Sequence, residues 1–138
     1  MGNETISKSP EEQAARDARL IEKFEIHRDF TRVFLDGFVL INSERKIVKF
    51  NQMFCTTVGM RAIDVRKIAS IDDTLATDIQ NSAKSAIDMI LESNTPLRID
   101  EVQAKRKASN EFMQLIIGSY PFLDDEGALL GACVFCVT

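Results

Sequence analysis

The chain reads as an α+β fold: an antiparallel sheet with helices on one face, preceded by an amphipathic helix. Three observations predict this. Apolar spacing runs in the order helix, two strands, several helices, three strands. Strands grouped at both ends of a helical middle cannot alternate with helices as a parallel sheet requires. Short polar turns, Ser43-Glu44-Arg45 and Asp124-Asp125-Glu126-Gly127, break each strand group and suit hairpins.

Each element has a local cause. Residues 1–9 are polar and are expected to form a disordered tail. Ser9 suits a helix cap, Pro10 the first helical position, and Glu12 the far side of a capping box. A helix is expected over 10–35, with Leu20, Phe24, His27, Thr31 and Phe34 at four-three spacing and Ile26, Phe30 and Val33 widening the stripe. Asp36-Gly37 ends it and opens the domain proper, 36–138. Phe38 to Asn42 and Lys46 to Phe50 read as a hairpin. Asn51 then caps a short helix that Gly59 ends in the left-handed conformation. A second short helix is expected from Ala62 to Ile68. Ser70 looks like another cap, with Asp73 three residues on. A central helix is expected to follow on Ile71, Leu75, Ile79, Ala83, Ala86, Ile87, Ile90 and Leu91, stopping before Pro96. Strands over Leu97–Lys105, Glu111–Leu123 and Ala128–Val137 close the chain.

The fourth expected strand carries more than a fold label. In Glu111–Leu123, Phe112, Ile116 and Tyr120 share one face, and Met113, Leu115 and Ile117 share the other. Both faces are apolar, so both are expected to be buried. The first is assigned to the inserted helices. The second needs a cover, and the N-terminal helix has a stripe that needs a surface. The expected interface is Leu20, Phe24, His27, Phe30 and Phe34 against Met113, Leu115 and Ile117, on the chain's own sheet or on that of a second subunit in a homodimer.

The bulk numbers exclude several functions. The 138 residues suit one domain, and the net charge of −4 has no basic block that favours nucleic acid. Lys105-Arg106-Lys107 is too short for such a patch and reads as a solvated loop. No apolar run approaches the ~18 residues of a membrane span, and the first ten residues lack a signal peptide's apolar core. Gly2 is not followed by a myristoylation motif, because Ile6 stands where Ser or Thr is needed. The three cysteines are odd in number, without metal-like spacing, and read as reduced thiols of a cytoplasmic protein.

From Leu35 to Thr138 the chain resembles a PAS domain, the sensory module common in bacterial signalling. The residues that carry this are Asp36-Gly37, the hairpin INSERKIVKFN, the signature pair Asn51 and Gly59, and the ending SYPFLDDEGALLGACVFCVT. The resemblance implies a five-stranded antiparallel sheet in the order 2-1-5-4-3 with helices on one face. It implies a sensory and homodimerisation module, as in two-component systems, that regulates an output domain or partner by conformational change. The family also implies a ligand pocket between sheet and helices. Leu40, Phe54, Val58, Ile68, Leu75, Ile79, Phe112, Ile116 and Phe135 would line it, with Arg98 or Tyr120 as a source of polarity. The start at Met1-Gly2 reads as natural. The stop at Thr138, where PAS proteins continue, leads us to expect an excised segment with a missing C-terminal output domain or protein partner, a histidine kinase or cyclic-dinucleotide enzyme by analogy.

The reactive residue types form no catalytic set. Cys55 has no neighbouring base in sequence and reads as a small buried hydrophobe. The family's flavin-adduct run, Asn-Cys-Arg-Phe-Leu-Gln, is absent, and the central segment has no histidine to ligate haem. Cys133 and Cys136 are expected to point to opposite faces, which disfavours a shared metal or disulfide. Asp72-Asp73 suits a helix start, and the acidic run at 124–126 suits a solvated turn. We therefore expect no enzyme, catalytic residue, cofactor or metal. The alternatives are a small-molecule receptor with a metabolite in the core, or a stand-alone adaptor of the roadblock or profilin-like class.

Overall fold

The computed structural model describes residues 8–26, 37–77 and 83–137. Ser9 opens helix α1 (Pro10–Ile26), its Oγ accepting the Glu12 amide at 3.1 Å. The expected helical residues 27–35, with His27, Phe30 and Phe34, lie outside the described residues, as do Ile79 and residues 1–7 of the tail.

The sheet is built from β1 (Gly37–Asn42), β2 (Ile47–Phe50), β3 (Leu75–Ala76), β4 (Leu97–Arg106), β5 (Phe112–Leu123) and β6 (Leu129–Val137). Their order is β2-β1-β6-β5-β4-β3, every pair antiparallel. Without the two-residue edge strand β3, this is the five-stranded order that the resemblance implies. Helices α2 (Gln52–Val58), α3 (Ala62–Lys67) and α4 (Ala86–Glu92), with a 3-10 turn at Ile71–Asp73, fill the insertion between β2 and β4.

The expected central helix is divided. Ser70 caps the 3-10 turn through a capping box with Asp73, and Leu75–Ala76 leaves helical geometry to pair with Arg106 and Lys105 of β4. Ser85 then starts α4 with a second capping box closed by Asp88. The physical reason lies in local competition. Each Ser-x-x-Asp set satisfies the amides of a new helix start, and the open edge of β4 offers Leu75 and Ala76 backbone partners.

Two apolar clusters lie on the two faces. The inner one packs Val39, Ile41, Val102, Ala104, Leu115, Ile117, Val134 and Cys136 of the sheet under Phe54, Val58, Val65, Ile87 and Ile90 of the helices. The outer one packs Leu40, Phe122, Leu130, Cys133 and Phe135 under Leu20 and Phe24 of α1. This reverses the expected faces of β5. Met113, Leu115 and Ile117 turn toward the inserted helices, because they pair with Ala104, Val102 and Ile99 of β4, whose apolar side belongs to the inner core. Gln114 and Phe112 pair with the polar Gln103 and Lys105 and so take the other face, where Phe112 is 66% exposed.

Candidate functional site

The corner at Asn51 is held from two sides. Its Oδ1 accepts the Phe54 amide of α2 at 2.9 Å and the Phe38 amide of β1 at 3.0 Å. One side chain thus starts the helix and ties it to the sheet. Gly59 ends α2 at φ 71°, and the amides of Met60 and Gly59 return to Cys55 at 3.0 Å and Thr56 at 3.3 Å. Arg106 reaches this end from β4, its Nε donating to the Thr57 carbonyl at 2.9 Å. Beneath the corner, Phe54 and Val58 are fully buried, and they fill the inner core with Leu75, while Ile68 packs at its edge.

The other expected pocket residues are not beside them. Leu40 and Phe135 belong to the outer cluster, Phe112 is exposed, and Ile116 lines a cavity on the outer face. The cause is the same reversal of β5, together with the alternation of β1 and β6, which sends Leu40 and Phe135 outward while Val39, Ile41 and Val134 turn inward. Arg98 and Tyr120, named as sources of polarity, also line that outer cavity.

The outer face is where charge and apolar surface come together. Leu20 and Phe24 are buried against the chain's own sheet, with the Phe24 ring 5.5 Å from that of Phe38. The Gly131 backbone makes room for this helix: a Cβ there would lie 2.1 Å from the Ile41 carbonyl and 2.7 Å from Leu20 Cδ2. Polar contacts fix the middle of α1. Arg16 donates to Asp124 and to the Leu129 carbonyl, both at 3.1 Å, and Arg19 donates to Asp125 at 3.0 Å. Further along, Lys49 pairs with Glu25 and lies 5.9 Å from the Phe24 ring centre. The Asp124 carboxyl sits below its ordinary range because the Ala128 amide, and then Arg16, stabilise its charge.

On the outer face an open cavity of ≈430 Å³ is lined, among the described residues, by Pro96, Arg98, Ile116, Tyr120, Phe135 and Val137. A second of ≈420 Å³ shares Arg98, Ile116 and Val137 and runs on to Asp100, Glu101 and Gln114. The two make one trough along β5, apolar in the middle and charged at one end.

All three thiols are free and buried. Cys55 and Cys136 lie in the inner cluster and Cys133 in the outer one, as their spacing requires. Burial raises all three, Cys136 to about 12. Among the described residues no group of three or more histidine, cysteine or acidic side chains is placed to hold a metal ion, and no helix is long and apolar enough to cross a membrane.

Sequence reasoning missed Asn42, Arg45 and Asp17, which join the hairpin turn to elements on both faces. Asn42 was legible as a turn former, since it precedes Ser43-Glu44-Arg45 at the end of an apolar strand.

No protein-family model matches this chain, and no curated protein matches it. Solved structures do. The PAS domain of the fruit-fly ELK potassium channel is 16% identical, with 81% of this chain and 94% of that one covered, at a TM-score of 0.59. The PAS domain of an HTR-like protein from Haloarcula marismortui is also 16% identical, covering 90% and 98%, at 0.54. The light-state dimer of the fungal blue-light photoreceptor Vivid is 14% identical, covering 75% and 77%, at 0.56. Strand order, inserted helices and these likenesses agree: the chain has the PAS fold.

Proposed function

We propose that this chain is a sensory and regulatory module of a signal-transduction protein, not an enzyme, working in the cytoplasm through a change in how α1 sits on the sheet. One observation carries the reading. In a PAS fold, α1 packs on the outer face through two buried apolar residues, the mostly buried ion pair Arg16–Asp124 and the exposed pair Arg19–Asp125, and an open trough lies on the same face. An exposed pair such as Arg19–Asp125 is worth little by itself. Such a seat is firm enough to hold and weak enough to exchange with a second packing when a ligand, partner or subunit favours it.

A homodimer fits the same face. Leu20 and Phe24 are already used within the chain, so the surface we assign to a second copy is the trough at Ile116, with the Arg98–Asp100 ion pair and Glu101 at its charged end. Vivid, among the structural neighbours, is described as a light-state dimer. The proposal includes an output domain or partner protein, in a bacterial two-component system or an analogous one. The strand order, which is that of PAS domains, gives the roadblock or profilin-like alternative no support.

Sedimentation of the full chain over a range of concentrations tests the dimer. Self-association that Ile116→Glu abolishes, with an unchanged melting curve, is the expected result. A monomer at every concentration overturns the dimer reading. Native mass spectrometry of freshly purified protein, if it shows a co-purified small molecule, favours the receptor alternative instead.

A further inference from the structure

The β1–β2 turn is bonded toward both faces of the sheet at once. On the outer side, the buried Asn42 donates Nδ2 to Asp17 of α1 at 3.0 Å. Its Oδ1 accepts the amides of Glu44 at 2.9 Å and Lys46 at 3.0 Å, which shape the turn. On the inner side, the Arg45 carbonyl accepts the Ile71 amide at 2.9 Å. Its guanidinium donates to Asp72 at 2.7 Å and Asp88 at 2.6 Å. Asp88 also closes the capping box of α4. Arg45 itself has φ 71°, a left-handed conformation that a long side chain adopts when its surroundings hold it there.

We propose that this turn is a relay: Asn42 and Arg45 are positioning residues that couple the seating of α1 on the outer face to the capping of the inserted segment on the inner face.

The physical sequence is short. An amide side chain is planar, so fixing Oδ1 on two amides fixes the direction of Nδ2. When α1 lifts and Asp17 leaves, the buried Nδ2 loses its acceptor and the amide turns to find another. The Glu44 and Lys46 amides then lose Oδ1. The Arg45 backbone, then held in the turn only by the bonds from its amide to the Asn42 carbonyl at 3.0 Å and from the Asn42 amide to the Lys46 carbonyl at 2.9 Å, shifts more easily and moves its carbonyl off Ile71 and its guanidinium off Asp72 and Asp88. The bistable element is the Arg45 backbone, and each face biases it.

The relay rests on the reading that α1 carries the conformational signal, but its test needs neither signal nor dimer. Asp17→Ala in the full chain changes a helix-surface residue and leaves both apolar clusters intact. Amide hydrogen exchange is expected to quicken about tenfold at Glu44, Lys46 and Ile71, the loss of one ordinary hydrogen bond, while Val102 and Leu115 keep their protection. Unchanged exchange at Ile71 overturns the relay. A double-mutant cycle gives an independent measure. Asp17→Ala and Asp88→Asn lie on opposite faces with no shared partner, so unfolding constants that multiply to within roughly twofold also overturn it. A departure of about fivefold or more supports it. Failure of either kind leaves the dimer and sensory readings standing, because sedimentation tests those separately.

Discussion

Replacing Asn51 by alanine removes one oxygen that serves two amides, and each of these two bonds contributes to the loss. Losing the N-cap bond to Phe54 costs about 1 kcal/mol. Leaving the half-buried Phe38 amide without its acceptor adds about 1 kcal/mol, the low end for a group that water can partly reach. The sum is about 2 kcal/mol. For a domain this size, an unfolding entropy of about 2.1 cal/mol/K per residue makes that a fall of about 7 °C in Tm. Asn51→Asp keeps an oxygen that can accept both amides and adds a charge that the helix N-terminus favours, so it is expected to be clearly more stable than the alanine variant. Asn51→Ser, with its shorter side chain, is expected to keep the Phe54 bond and lose the Phe38 bond, and to fall between. Urea and thermal unfolding followed by circular dichroism read all three. The reasoning is refuted if alanine is as stable as the parent, or if aspartate is as unstable as alanine.

Gly131→Ala meets backbone rather than a side-chain end, with its Cβ 2.1 Å from the Ile41 carbonyl, so a loss at or above the upper end of overpacking, about 3 kcal/mol, is expected by urea unfolding. Leu20→Ala, at a fully buried site, is expected to cost about 3 kcal/mol and to loosen α1 first, seen as early proteolysis within residues 10–26. The Asp88 carboxyl is held below its ordinary value of 3.8 by the Ser85 amide and then by Arg45. Its contribution to stability is therefore complete above that value and is lost as the pH falls through the lower folded value. The stability gap between the parent and Asp88→Asn should close on acidification, and a gap that stays constant would argue against the pairing. Alkylation by iodoacetamide at mildly alkaline pH should be slow at all three cysteines in the folded chain and fast in urea, since burial raises each thiol.

Much of this was legible locally. Asn51 and Gly59 announced their helix by residue type and spacing, and both cap it through the bonds that their chemistry implies. The hairpin turns and the strand blocks fell close to their expected bounds, because polar turn residues interrupt apolar runs there. The division of the central helix was legible too, in Ser85-Ala86-Ile87-Asp88, but the apolar spacing on either side masked that second start. The face of β5 could have been read from β4, where Gln103 and Lys105 mark the polar side and Val102 and Ala104 the buried one.

By itself the sequence determined the order of elements, the caps and turns that bound them, and which side chains share a face. Those properties depend on a few neighbouring residues and on the fixed periods of helix and strand. Tertiary structure decided which face of β5 turns inward, that Leu20 and Phe24 are spent on the chain's own sheet, and that Asp17, Asn42, Arg45 and Asp88 stand in one chain of bonds. These follow from pairing and packing between segments far apart in sequence, where an apolar residue on either face of a strand satisfies the local pattern equally well.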